Sequence, residues 1–398
     1  MCGIAGWLDR YTDLSQKQQV INSMSATMKS RGPDQEGVFL NSDNTVCLMH
    51  RRLTVIDPQG GAQPMTKEDK HRKCTIVYNG ELYNTKELTE QLTQAGYSFD
   101  THSDTEVLLT AYLHWGEDCV DKLNGIFAFA IYEHTTGKLF IARDRIGVKP
   151  FFYYYYKGGL VFGSEIKALL RCPKVRPVVD EQGLMDVFFI GPGRSLGQGI
   201  FKNVEELLPG ECASYKDGVL KKRKYFKLVA KPHIHSKDKT IEYTRFLLKD
   251  AITRQLVSDV PLCTFLSGGL DSSIISAVSA DYYRKNGKGI LTTYSVDYKD
   301  NEKYFKKSLF QPNSDSDFIK LISDFAGTNH KNVILDNHSL YYALYDSVKA
   351  RDLPAMTDVD SSLLLFCKEV KKDFTVALSG ECADELFGGY PWYHNKDI

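Results

Sequence analysis

The stretch GIFAFAIYEHTTGKLFIARD, Gly125–Asp144, reads as two strands closed around a turn at Thr135–Gly137. On either side the pattern repeats in CTIVYNGELYN (Cys74–Asn84) and FFYYYYKGGLVFGS (Phe151–Ser164), where β-formers run between Asn and Gly turn residues. Helical patterns lie among them. KELTEQLTQAG (Lys86–Gly96) and DTEVLLTAYLHWG (Asp104–Gly116) carry apolar residues at three- and four-residue spacing, and Gly96 is placed to end the first. The first half therefore predicts sheets covered by helices.

Further along, the segment at residues 220–240, within KKRKYFKLVAKPHIHSKDK, is basic and poor in periodic apolar positions, as a connection would be. Beyond it the order changes to helix (EYTRFLLKDAITRQLV), strand (PLCTFL), glycine turn, helix (SSIISAVSADYYRK) and strand (GILTTYSVDY). That alternation predicts a parallel, doubly wound sheet. The expected domains are 2–219, a linker at 220–240, and 241–398.

Composition narrows the function classes. The chain has 398 residues, 42% hydrophobic and 25% charged, which fits a folded protein of two or three domains. Lys+Arg and Asp+Glu are 50 each, so no global positive field draws in nucleic acid or an anionic membrane. Small-molecule partners are expected, and a homodimer is left open. No cysteine pair has the close spacing of a zinc or redox site, and no leader or long apolar run is seen, which predicts a cytoplasmic chain.

Cys2 stands next to the initiator. A thiol becomes a strong nucleophile when a base takes its proton, and a chain-terminal Cys carries such a base in its own α-amine once Met1 is removed. The bland reading is a small buried hydrophobe. In VYNGELYN, Asn79 and Gly80 offer a side-chain amide and an unhindered backbone N–H, the donor pair an oxyanion hole needs. Asn-Gly between strand-like flanks is equally the signature of a type I′ hairpin turn. Arg52 could clamp a carboxylate bidentately, and Asp104 could accept from an ammonium; alone, they read as a surface charge and a helix N-cap.

The motifs MCGIAGWL, SRGPD, RLTVID, NGELYN, SDTE and GSEIKAL occur in one order. That order resembles the class II, N-terminal-nucleophile glutamine amidotransferases over roughly the first 220 residues. The resemblance implies a four-layer αββα fold in which Cys2 attacks the side-chain amide of glutamine. It further implies that Asn79 and Gly80 form the oxyanion hole. Arg52, Leu53, Thr54, Val55 and Glu81 would bind glutamine, with Asp104 holding its amino group. RDRIGVKPFFY (Arg143–Tyr153) also matches and is expected to shape this domain.

SGGLDSS, Ser267–Ser273, lies between an apolar strand and an amphipathic helix, where backbone N–H groups form an anion site. It has no Walker lysine. Its glycines allow close approach of phosphate, its serines can donate, and Asp271 can hold magnesium. The string is similar to the pyrophosphate loop of the ATP pyrophosphatases, and LSGECADELFGGY (Leu378–Tyr390) resembles the asparagine synthetase pattern. That resemblance implies an ATP site of Leu266, Ser267, Gly268, Gly269, Asp271, Ser272, Ser273, Val296, Ser379 and Gly380. Glu381 would support formation of an aspartyl-adenylate, and Asp384 would share Mg2+ with Asp271. One departure is Cys382, where the family carries a small residue, usually Gly; a φ above zero there would strain a Cys by roughly 1 kcal/mol.

Taken whole, the chain resembles the glutamine-hydrolysing asparagine synthetases. The implied reaction consumes aspartate, ATP, glutamine and water and yields asparagine, AMP, pyrophosphate and glutamate, with ammonia passed through an internal channel. Members of that family continue past the position of GGYPWY, so a C-terminally truncated synthetase half is expected. The alternatives are an amidotransferase acting on another carboxylate, or a chain whose second domain only binds nucleotide or a partner beside an active glutaminase. The purine-synthesis amidotransferases start similarly but carry a phosphoribosyltransferase domain in place of SGGLDSS.

Overall fold

The computed structural model describes residues 1–306, 315–354 and 356–396. Of these, Met1–Lys231 with 352–354 form one compact unit, and 232–351 with 356–396 form the other. The first unit is built on strands β1 (Gly3–Asp9), β2 (Gln35–Leu40), β3 (Val46–Arg52), β4 (Met65–Glu68), β5 (Lys73–Leu82), β6 (Gly125–Glu133), β7 (Lys138–Arg143), β8 (Phe152–Tyr156), β9 (Gly159–Gly163), β10 (Val204–Glu206), β11 (Glu211–Lys216) and β12 (Val219–Lys224). They pair into two six-stranded sheets, ordered β10-β8-β9-β1-β3-β2 and β12-β11-β7-β6-β5-β4.

The core shows why the sheets stack. Ile4, Leu48, Phe151 and Phe162 of the first sheet and the segment leading into it meet Val77, Ala128, Ala130, Ile141 and Ala213 of the second in one buried cluster. The outer faces are covered separately. Trp7, Cys47 and Met49 pack under α1 (Gln18–Thr27), while Tyr78, Phe129 and Phe140 pack under α2 (Thr85–Gln94) and α3 (Asp104–Trp115). This is the expected αββα arrangement of four layers.

Strand β1 is buried along its whole length and lies between β3 and β9, antiparallel to both. Its near-continuous apolar run, GIAGWL, suits a strand covered on both faces. The structure departs from the sequence reading in two places here. Asn79–Gly80 is no turn: both residues lie inside β5, opposite Ala128 and Phe127 of β6. The connection expected from residue 220 also begins later, because Val219–Lys224 pairs with β11 as an edge strand, where lysines discourage further pairing.

The second unit holds a four-stranded sheet ordered β15-β14-β13-β16, from β13 (Leu262–Phe265), β14 (Thr292–Tyr298), β15 (Asn329–Leu335) and β16 (Val376–Leu378). Every pairing in it is parallel. Strand order reverses between β13 and β16, which opens a crevice at their carboxyl ends, the usual ligand position in doubly wound sheets. Among the described residues no helix is long and apolar enough to cross a membrane.

Candidate functional site

The chain start sits in a small cavity lined by Cys2, Arg52, Leu53, Val55, Gln63, Gly80, Glu81 and Asp104, among others. Cys2 is half-buried, and its thiol donates to the Leu53 carbonyl at 3.6 Å. The Arg31 guanidinium fixes its backbone, donating to the Cys2 carbonyl at 3.0 Å while pairing with Glu165 at 3.2 Å. Ser164 completes the clamp: its hydroxyl accepts from the Ile4 N–H at 3.0 Å, and its own N–H donates to the Ile4 carbonyl at 2.9 Å. SRGPD and GSEIKAL, far apart in sequence, thus meet at the first residues of β1.

Asn79 is 1% exposed, and its Nδ2 is buried with no hydrogen-bond partner. An orphaned buried donor costs about 1–3 kcal/mol, so it marks a group held ready for something else. Gly80 beside it has no room for a side chain. A Cβ there would lie 2.4 Å from the Ile126 carbonyl oxygen and 2.6 Å from the Tyr78 ring. Strand pairing with β6, not turn geometry, is what demands glycine.

Arg52 is 4% exposed and already busy. Its Nη1 donates to Gln35 at 2.9 Å and to the Pro58 carbonyl at 3.1 Å; its Nη2 donates to the carbonyls of Ile56 and Asp57 at 3.0 and 2.6 Å. The bidentate face expected for a substrate carboxylate is therefore turned onto the loop that follows β3. Arg52 shapes the loop carrying Leu53 and Val55. Thr54 does not line the cavity; its N–H donates to Asp34 at 2.8 Å, which ties the loop to SRGPD.

Two carboxylates face the cavity. Asp104 accepts from the Tyr78 hydroxyl at 2.9 Å and the Leu82 N–H at 3.2 Å, and burial raises its pKa against both bonds. It is not the N-cap of α3; Ser103 is, accepting from the Glu106 N–H. Glu81 is pushed up to about 8 by burial and then by the charge of Asp104, with Lys149 acting against. A positive charge placed beside the two carboxylates would favour their ionised forms. Burial also raises the pKa of the Cys2 thiol, opposed by the Leu53 bond and the nearby terminal ammonium.

Two residues near this site lie in matched motifs, SDTE and RDRIGVKPFFY, but were given no role of their own from the sequence. Glu106, 3% exposed, pairs with Lys67 and accepts from the N–H groups of Asp100 and Thr101, fixing the turn into α3. Lys149, 5% exposed, ends the turn of RDRIGVKPFFY and reaches Met1. In that turn the Asp144 carboxylate collects the N–H groups of Phe127, Ile146, Val148 and Lys149.

The second unit has its own cavity, about 470 Å³, at the carboxyl ends of β13, β14 and β16. Leu266, Ser267, Gly269, Asp271, Ser272, Val296, Ser379, Gly380, Glu381 and Asp384 all line it. Two residues expected there do not. Ser273 is turned into the helix Leu270–Lys285, its hydroxyl donating to the Gly269 carbonyl at 2.6 Å. Gly268 has φ +83°, a left-handed position that suits glycine, and a Cβ would lie 2.9 Å from Phe318 Cβ. Burial, and next the charge of Asp384, raise the Asp271 pKa, so these two carboxylates lie close enough to repel. Among the described residues no cluster of three or more metal-ligating side chains forms. Cys382 has φ +71°, so the strain foreseen for a side chain there is present.

Residues 1–226 match the family model described as glutamine amidotransferase domain, and residues 244–398 match asparagine synthase. The chain is 49% identical over 398 residues to asparagine synthetase [glutamine-hydrolyzing] 3 of Bacillus subtilis, covering 100% of this chain and 64% of that protein. It is 34% identical to asparagine synthetase [glutamine-hydrolyzing] 1 of the same organism, covering 99% and 59%. It is 32% identical to the putative asparagine synthetase [glutamine-hydrolyzing] 2 of Methanocaldococcus jannaschii, covering 99% and 76%. The first unit is thus a glutamine amidotransferase domain by its match to that family. The chain belongs to the glutamine-hydrolysing asparagine synthetase family, and spans about three fifths of the length of the two Bacillus relatives.

Proposed function

We propose that the first unit hydrolyses glutamine at Cys2 and that the second uses ATP to activate aspartate, so that the released ammonia yields asparagine. The observation that carries the first step is the orphaned Asn79 amide on β5, next to Gly80, which shares the Cys2 cavity. With Met1 removed, the Cys2 α-amine takes the thiol proton and the thiolate attacks the glutamine amide carbon. The Asn79 Nδ2 and the Gly80 N–H stabilise the oxyanion. The intermediate collapses as the α-ammonium returns its proton to the leaving nitrogen, releasing ammonia and a thioester, and water then cleaves the thioester to glutamate. Glu81 and Asp104 hold the substrate ammonium. Leu53, Val55 and the loop that Arg52 shapes, with Thr54, enclose the carboxylate end.

In the second unit the Ser267–Ser273 loop and Ser379–Gly380 receive ATP, and Leu266 and Val296 flank its base. The aspartate β-carboxylate attacks the α-phosphorus, releasing pyrophosphate and leaving an aspartyl-adenylate, whose formation Glu381 supports. Ammonia displaces AMP. The repelling pair Asp271 and Asp384 fits Mg2+, which binds through one or two carboxylates plus phosphates. Bound there, the ion would neutralise pyrophosphate charge.

Three outcomes follow. Cys2→Ala should abolish glutamate release, and Asn79→Ala should lower kcat about 100-fold; full activity in Cys2→Ala sinks the nucleophile. The KM for glutamine should fall as pH rises through about 8, because only ionised Glu81 attracts the ammonium. Glu81→Gln should raise that KM and flatten its pH dependence, and a flat profile in the unaltered protein would remove Glu81 from binding. ATP–pyrophosphate exchange should depend on aspartate; exchange indifferent to aspartate but stimulated by another carboxylate would reassign the acceptor.

A further inference from the structure

Lys149 is 5% exposed, unusual for a lysine, and its turn fixes it from both sides. Its N–H donates to Asp144 Oδ2 at 2.9 Å, and its carbonyl accepts from Arg143 Nε at 2.7 Å. Its ammonium is aimed at the chain start, donating to Met1 Sδ at 2.8 Å. The charged and titratable groups facing it are Glu81 of β5, Cys2 at the head of β1, Arg31 after α1, and Asp144 of its own turn. Asp104 of α3 acts on both Glu81 and Cys2, while Arg31 is tied to Glu165 and to the Cys2 carbonyl. Lys149 is thus a buried cation at the chain start that, among the described residues, makes no ion pair with a carboxylate. Burial lowers its pKa and raises that of the thiol, while a charge on Cys2 acts to raise that of Lys149.

We propose that, once Met1 is removed, the Lys149 ammonium is the counter-ion of the Cys2 thiolate, a positioning residue that makes the nucleophile available near neutral pH. This rests on the reading of Cys2 as the nucleophile. The thiol proton passes to the Cys2 α-amine, and the negative charge left on sulfur is held by Lys149, which neither forms nor breaks a covalent bond. Glu81 competes for the same ammonium, so substrate binding and nucleophile formation are linked. When the glutamine ammonium satisfies Glu81, Lys149 is released toward sulfur.

The test is the pH dependence of Cys2 alkylation by iodoacetamide in Met1-free protein, followed by peptide mass spectrometry. Lys149→Met should raise the midpoint by about one pH unit. Lys149→Arg should restore most of it, and Glu81→Gln, which removes the competitor, should lower it. An unchanged midpoint in folded Lys149→Met protein overturns the proposal. If that variant fails to fold, a Glu81→Gln midpoint that stays put or rises overturns it. Glutaminase activity surviving in Cys2→Ala would instead sink the nucleophile reading, and the alkylation midpoints report on Lys149 independently of that result.

Discussion

The clamp on the first residues of β1 is the constraint on which the chain-start site depends. A nucleophile at a chain terminus has no covalent tether on one side, so its position must come from the strand that follows and from side chains holding its backbone. Here Arg31 grips the Cys2 carbonyl, Glu165 grips Arg31, and Ser164 pairs with Ile4 on both N–H and carbonyl. Because β1 is buried on both faces, a shift of one residue in register would exchange its side chains between the two packed clusters, and packing forbids that.

The polar groups around Cys2 follow a common logic of stored cost. An orphaned Asn79 amide, two carboxylates with raised pKa and a buried lysine each carry a desolvation cost. The rest of the unit offsets that cost through two well-packed sheets and the layers over them. The cavity of the second unit follows the same logic on a smaller scale, with the repelling Asp271 and Asp384 and the left-handed Cys382 gathered at one end of a parallel sheet.

Much of this was legible in the sequence because the signals were local or came in fixed order. The hairpin around Thr135–Gly137, the glycine after α2 and the strand-loop-helix at Ser267 each announce themselves within a dozen residues. What was not legible depends on tertiary placement. Asn79–Gly80 carries a turn signature, yet pairing with β6 holds it in strand, since its glycine serves a close contact and not a positive φ. Arg52 reads as a free clamp, but only the folded loop reveals four bonds to its guanidinium. Lys149 falls within a matched motif, but only the Asp144 turn reveals its burial near the chain start.

The most direct test of Cys2 as the glutamine-attacking nucleophile is labelling with a glutamine analogue that carries an electrophilic diazoketone in place of the side-chain amide. Peptide mass spectrometry then locates the adduct among the nine cysteines. The expected result is a single adduct on Cys2 at a chain start lacking Met1, with glutamine protecting against it. An adduct on another residue, or complete inactivation with Cys2 unmodified, would contradict it.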